Sequence, residues 1–580
     1  ERLEPALFET SILQLTDSKL KKVRQFALAK IQESGLNEEV GDNQLKDLAR
    51  KAAGESEDSD LLSITPERLM KISKSGKQAD RILAAKLMRK LTNPRTIFIL
   101  LEMMRDPDPK VRYEALLTAR KVKRPETWPV LIDMLASPSY GHQAAAALKA
   151  AGEPVLPTLE AAFHKSGQSD LVMLKTVQIM GHIGGKEGLQ LLWKKIDYPQ
   201  KRIVNQILFT LRYINYQAKG REAREILQLL DVEIGKTIWN LVAVEELPNE
   251  EYFQYVKEAL REEIRDNYEH ITLLMSLIYD PQSVQLVKEN VESGTPDGIA
   301  YALELMDLFV DQDLKPKIFP LFDDISVAEK LNRLQTFFPR ENYNDIQVIN
   351  YILNRDYNYN NRWTKTCAIH ASAYIPGFRI SRGLISQLFN QDRLMQETAA
   401  WVIYNKDKAQ YESLIERLPV RDKKFLNTAI ENNQLLNGLD DGFFLAIEIV
   451  LFIKQLPAFR GVSGAIIADL ADKIIPLDLN ANDKVMFQPN EELPLLIAAH
   501  GRVELRNGSD IVRKMEKGDV YGDLFQEDDA PAITELVAHE RSVVFRINAV
   551  DFFFVMATHH ELAQRLILNI TGTAKLQQNN

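Results

Sequence analysis

The chain has 580 residues, is 45% hydrophobic and 26% charged, and carries a net charge of −9 at pH 7. That length asks for more than one domain, and the composition is that of a folded protein rather than a disordered or fibrous one. The mild acidity argues against nucleic acid, which wants a concentrated basic face, and the single cysteine, Cys367, excludes an intrachain disulfide and a cysteine-cage metal site.

Early in the chain Lys19, Lys21, Lys22 and Arg24 form one basic run, and Arg120, Lys121, Lys123 and Arg124 form another. Solvated helix ends explain both more simply than contact with an anionic surface. The acidic tract starting at Glu55 and ending at Asp60 reads as a solvated loop. The chain opens on Glu1 rather than Met, so a membrane domain upstream of Glu1 belongs among the expectations. No signal peptide is visible, and the most apolar stretch, 442–453, is too short for a membrane span and contains Glu448.

From about residue 105 the chain reads as paired helices. Asp108-Pro109-Lys110-Val111-Arg112 leads into Glu114-Ala115-Leu116, and 127–135 supplies a second helix. Further pairs follow at 141–152 with 154–163, and at 170–181 with 186–193. Leu116, Leu148 and Met180 recur every 32 residues, as do Gly152 and Gly184. Cys367-Ala368 and Ala399-Ala400 repeat the same spacing. Pro66, Pro109 and Pro154 suit first-turn positions, where the missing N–H costs nothing. Between about 205 and 350 the pattern is irregular, though 302–308 still reads as one helix of a pair. The "D-x-x-V-R-x-x-A-L" pattern resembles a HEAT repeat. That resemblance implies an α-solenoid, in which each helix pair buries its apolar face only by stacking on its neighbours.

After a glycine- and aspartate-rich connector at 437–442, expected to act as a hinge, the pattern changes. A helix is expected over 443–454, then Leu456-Pro457-Ala458-Phe459-Arg460-Gly461-Val462-Ser463, and a short helix over 464–470. Alternating strands follow at 484–487, 495–498, 500–505 and 542–547, with a closing helix from Val550. Gly518 and Gly522 punctuate Lys517-Gly518-Asp519-Val520-Tyr521-Gly522-Asp523-Leu524, where tight turns favour glycine.

This order resembles the cyclic-nucleotide-binding domain of the catabolite-activator and protein-kinase-A regulatory type, over about a fifth of the chain. The resemblance implies that the acidic residue after the second cassette glycine, here Asp523, meets a ribose hydroxyl. It also implies an arginine against the cyclic phosphate about nine residues later. That position is Ala532, and Glu527, Asp528 and Asp529 precede it. A phosphate needs a guanidinium or a field of N–H donors, and nearby carboxylates repel it. The ligand site is therefore a degenerate cassette of Gly522, Asp523, Leu524, Ala532 and Thr534, and ordinary cAMP or cGMP binding is not expected.

Catalysis has no candidate constellation. There is no phosphate-binding loop of the Walker type, no dinucleotide fingerprint and no zinc-protease motif. Cys367 and His370 lie three apart on one expected helix, but a core cysteine beside a groove histidine explains them more simply than a thiolate–imidazole pair. His559 and His560 are adjacent, so on a helix they diverge by about 100° and are expected at the surface rather than on a metal.

The expected fold is mainly α: a HEAT-like solenoid over 1–440, then a small β-roll with flanking helices over 441–580. No catalytic residue, metal site or cofactor is expected. Helical repeats followed by such a roll resemble the cytoplasmic tail of bacterial transporters related to the ADP/ATP translocases, with 301–307 and 362–368 as the similar segments. The resemblance implies a regulatory scaffold at the inner face of a membrane, with protein partners on the solenoid surface. The alternative is a sensor whose roll binds a nucleotide or other small molecule by a non-standard mode. A roll filled by its own side chains favours the scaffold.

Overall fold

The computed structural model describes residues 66–577 except 90–95, 138, 340, 358, 434, 440, 441, 443, 488–492 and 523–531. The basic run at Lys19 and the acidic tract at Glu55 lie outside the described residues. The described chain is mainly helical and ends in two small antiparallel sheets with flanking helices.

Local chemistry sets the helix boundaries. Asp108 caps helix Pro109–Val122, its carboxylate accepting from Lys110 N at 2.9 Å, with Pro109 in the first turn. Ser169 caps Asp170–Ile183 in the same way. The expected second helices appear as Trp128–Asp133, Leu156–Phe163 and Gly185–Trp193, two of them entered through a 3₁₀ turn.

One face of each repeat joins a continuous inner row. Pro109–Val122 packs on Gly141–Ala151, that helix on Asp170–Ile183, then come Lys201–Tyr213 and the long helix Gln254–Ile278. From there the row passes to Arg362–Ser372, Arg393–Lys406 and Ala446–Gln455. The helices between 281 and 334 leave this row as a side branch, stacking on one another and returning to Arg221–Glu246. That branch explains the lost repeat spacing: its helices meet different neighbours from those of the regular repeats.

Two apolar cores meet on the long antiparallel pair Arg221–Glu246 and Gln254–Ile278. The first, from Leu69 to Leu334, takes Val242 and Ile271; the second takes Ala243 and Leu260. The second core then runs from Trp363 and Ala400 through Ile449 and Phe459 to Phe545 and Leu566. It therefore crosses the 440/441 position without interruption.

Described residues on both sides of 440/441 are tied to one carboxylate. Buried Glu448 accepts from Leu445 N (2.6 Å), Gly438 N (2.8 Å) and Asn433 Nδ2 (2.5 Å). Burial raises its carboxyl above the usual range, and the three donors oppose that rise. The one charge in the apolar stretch is thus the group that satisfies the turn's backbone.

The roll has eight strands: β1 Ile475–Leu479, β2 Lys484–Met486, β3 Leu495–His500, β4 Val503–Asn507, β5 Asp510–Met515, β6 Val520–Tyr521, β7 Glu535–Ala538 and β8 Ser542–Ile547. They form sheets ordered β1-β8-β3-β6 and β2-β7-β4-β5, with every pairing antiparallel. Sequence reading passed over β1, β5 and β7, and read the two residues of β6 only as part of the cassette motif. β1 carries Pro476 and lies at a sheet edge, where proline is tolerated. β5 is an edge of the other sheet, largely exposed and so without an apolar face, though the Asn507-Gly508 turn before it is a hairpin signal. β7 is buried throughout and shows no alternation.

Candidate functional site

The roll encloses a third core, built from Leu479, Phe487, Leu496, Leu505, Met515, Tyr521, Leu536 and Val544 among others. Strand alternation assigns the faces. On β8, Val543, Phe545 and Ile547 point to the flanking helices, so Val544 and Arg546 point into the roll. The recess on the roll lies outside this interior, at the strand turns, among His500, Arg502, Glu516, Lys517, Glu540 and Arg541. Its lining mixes both signs of charge.

The cassette opens at Gly522, directly after β6. A Cβ there would stand 3.2 Å from Leu495 Cα and 3.3 Å from Leu495 Cδ1, so any larger residue would make a tight contact with β3. Asp523, Leu524 and the carboxylates Glu527, Asp528 and Asp529 lie outside the described residues. Ala532 is exposed and carries no charge. Thr534 is committed elsewhere: its hydroxyl accepts from Gly508 N at 3.0 Å and donates to Arg506 O at 3.2 Å, closing the β4–β5 turn. Arg506 in turn pairs with Glu504 at 2.7 Å.

Sequence reasoning missed Arg546. It stands opposite Leu496 and Ile475 in the sheet, and its Nε is buried without a hydrogen-bond partner among the described residues. The signal was available: in Ser542-Val543-Val544-Phe545-Arg546-Ile547 the arginine falls in phase with Val544.

The helices flanking the roll are capped by buried glutamates of the solenoid. Glu262 accepts from Gly464 N at 2.9 Å and from Lys454 Nζ at 3.1 Å; Glu397 accepts from Ala446 N at 2.7 Å. Gly464 N and Ala446 N each open a helix, where backbone N–H groups lack internal partners and favour an anion. Burial raises both carboxyls, and Lys454 and Arg393 oppose the rise. Glu263 holds the capping residue of helix Arg362–Ser372, accepting from Asn361 N at 2.6 Å, while Asn361 Oδ1 accepts from Trp363 N and Thr364 N.

A second tie is an ion-pair node. Arg362 meets Asp392 (2.9 Å), Asp472 (2.5 Å) and Asp469 (3.4 Å). Asp469 also accepts from His559 Nε2 at 2.8 Å and lies 3.8 Å from Arg202. Five solenoid and roll segments therefore converge, and helix Ala549–Thr558 comes back against Asp170–Ile183. His559 was expected at the surface; it is instead largely buried in this node, because the closing helix folds back onto the repeats. Burial lowers its pKa, and Asp469 opposes that shift. The side chain of His560 lies outside the described residues.

Cys367 and His370 share helix Arg362–Ser372, and both are buried. Burial pushes the thiol well above its ordinary value and the imidazole down to about 4. Both groups are thus neutral near pH 7, the reverse of an ion-paired nucleophile. His370 stacks on Trp401 with ring centroids 5.9 Å apart. Among the described residues no cluster of three or more metal-ligating side chains occurs.

A family model of HEAT repeats matches residues 65–150. No curated protein matches the chain. Among solved structures, the N-terminal domain of a transcriptional regulator from Streptomyces coelicolor A3(2) is 16% identical, with a TM-score of 0.19, covering 22% of this chain and 93% of its own. A cyclic nucleotide-binding domain from Methylobacillus flagellatus is 14% identical, TM-score 0.19, covering 23% and 79%. A cAMP-bound PfPKA-R fragment is 13% identical, TM-score 0.18; 23% of this chain covers 47% of it.

Proposed function

We propose that the chain is a non-catalytic interaction scaffold whose roll closes and braces the solenoid rather than sensing cyclic nucleotides. The observation that carries this reading is the commitment of the roll. Its interior is filled by Leu, Met, Phe and Tyr side chains, Thr534 is used by a turn, and Ala532 offers no charge. A charged hydrogen bond contributes roughly 1.5–3 kcal/mol, so lacking the cassette arginine should weaken cyclic-phosphate binding at least about tenfold. Protein partners on the solenoid surface follow from its long ridge of stacked helices. Titration calorimetry of the full chain with cAMP and with cGMP should give no binding heat, and micromolar binding of either would overturn the reading.

One observation favours a second reading, a sensor of non-standard mode. Arg546 is an inward-facing guanidinium whose Nε has no partner among the described residues, and it would offer an anionic ligand a donor from β8, separated from β6 by β3 in the same sheet. The finer placement, as the cytoplasmic part of a translocase-type transporter at the inner face of a membrane, rests on the similarity of 301–307 and 362–368 to such tails. Among the described residues no helix is long and apolar enough to cross a membrane. Sequencing the encoded region upstream of Glu1 tests it: a series of long apolar segments is the expected result, and a second soluble domain there would remove it.

A further inference from the structure

At the joint between solenoid and roll lies a cavity of about 230 Å³. Helix Arg393–Lys406 contributes Leu394 to its wall, helix Ala446–Gln455 contributes Ala446 and Ile449, and helix Gly464–Ala471 contributes Ala468 and Ala471. Phe444 lines it too, and Pro476 of β1 brings it to the exposed edge of the sheet.

Three of these wall positions are alanine, and their small side chains leave the space unfilled. The helices cannot simply close over it. Ala446 N is held by Glu397 and Gly464 N by Glu262, while Arg362 ties Asp392, at the start of one wall helix, to Asp472, at the end of another. Apolar space that its surroundings cannot collapse costs stability in proportion to its volume, and a molecule that fits it recovers that loss.

The rim carries one charge of each sign, and both are committed. Arg393 Nε donates to Glu397, and its guanidinium lies 5.3 Å from the centre of the Phe425 ring. Asp472 accepts from Arg362 Nη1 at 2.5 Å and from Nη2 at 3.1 Å. The mouth therefore draws in neither an anion nor a cation. Among the described residues, no side chain lining the cavity has a buried polar atom without a partner. Water gains little inside such a space, and an apolar cavity of about 150 Å³ already holds a benzene ring.

We propose that this cavity is a binding site for a small uncharged apolar molecule, the size of one aromatic ring or a short alkyl chain. Such a ligand would touch the solenoid through Leu394 and the roll's flanking helices through Ile449 and Ala471. It would exist as a site only while the two are docked, so filling it tightens the joint.

The test is thermal unfolding of the full chain with benzene in one arm and benzoate in the other, at constant ionic strength. Benzene should raise the melting temperature saturably. Benzoate should act at least about tenfold more weakly, because its carboxylate would be desolvated without a free donor. Ala471→Leu, which fills the cavity from the half-buried end of its helix, should fold and lose the benzene response. Hydrogen exchange of the parent chain gives a reading that needs no variant: benzene should slow exchange in helices Ala446–Gln455 and Gly464–Ala471 before the N-terminal repeats. No saturable response to benzene overturns the proposal, as does a response that persists in Ala471→Leu or protects the repeats instead. Benzoate acting as strongly as benzene overturns the uncharged class. An Ala471→Leu chain more stable than an unresponsive parent would show that only packing is missing there. None of these outcomes bears on the interior of the roll, whose test uses cyclic nucleotides.

Discussion

His370 is a buried imidazole with one cause for its shift. It packs among Tyr255, Tyr374 and Trp401, and burial alone lowers its pKa from 6.5 to about 4. The folded value is depressed, so the unfolded chain takes up a proton first as the pH falls. Stability referable to this residue is complete above about pH 6.5 and is lost progressively toward pH 4, by about 3 kcal/mol in all. Raised carboxyls such as Glu262 and Glu448 change in the opposite sense, so the clean comparison is with His370→Phe. Denaturant unfolding of both proteins from pH 7.5 to 4.5 should show the parent losing ground to the variant below about pH 6.5; parallel profiles would refute the assignment. The same burial raises the Cys367 thiol well above its ordinary value, in keeping with the core cysteine that the sequence favoured.

Between elements, helix Gly464–Ala471 lies very close to Arg362–Ser372. A Cβ on Gly464 would lie 2.0 Å from Nε1 of Trp363, itself 1% exposed, and Gly464 N is held by Glu262. Neither ring nor backbone can yield without breaking a cap. Gly464→Ala should therefore destabilise by about 3 kcal/mol, the upper range for overpacking, and should raise hydrogen exchange in the helices flanking the roll before the N-terminal repeats. Unchanged exchange there would mean that the two helices separate at no cost. The helices themselves were legible in sequence, since caps such as Asp108 and Ser463 precede apolar periodicity. Strands at sheet edges were not: β1 and β5 expose most of their residues, so no apolar alternation marks them.

At the scale of the molecule, solenoid and roll share one core. Leu445, Ile447, Ile449, Val450 and Ile453 are buried together with Trp363, Ala400 and Trp401. A fragment of 441–580 would expose that surface and leave two helix starts without their caps. It should be aggregated or loosely packed, with weak near-UV dichroism, whereas the full chain stays monodisperse; a monodisperse fragment with a cooperative melting transition would contradict this. Much of the plan was present in the sequence alone. Helical periodicity, a 32-residue recurrence, glycines at turns and an alanine at the expected arginine position are local features, set by backbone sterics and side-chain chemistry within a few residues. Arg546 was equally local, a matter of strand phase. Tertiary structure decided the rest: that Glu262, Glu397 and Glu448 act as buried caps, and that His559 joins a charged node. Glu262 and Gly464 are 202 positions apart. Whether a charged side chain is solvated or buried depends on which distant segment covers it, and the pairwise electrostatics that follow grow only once water is excluded.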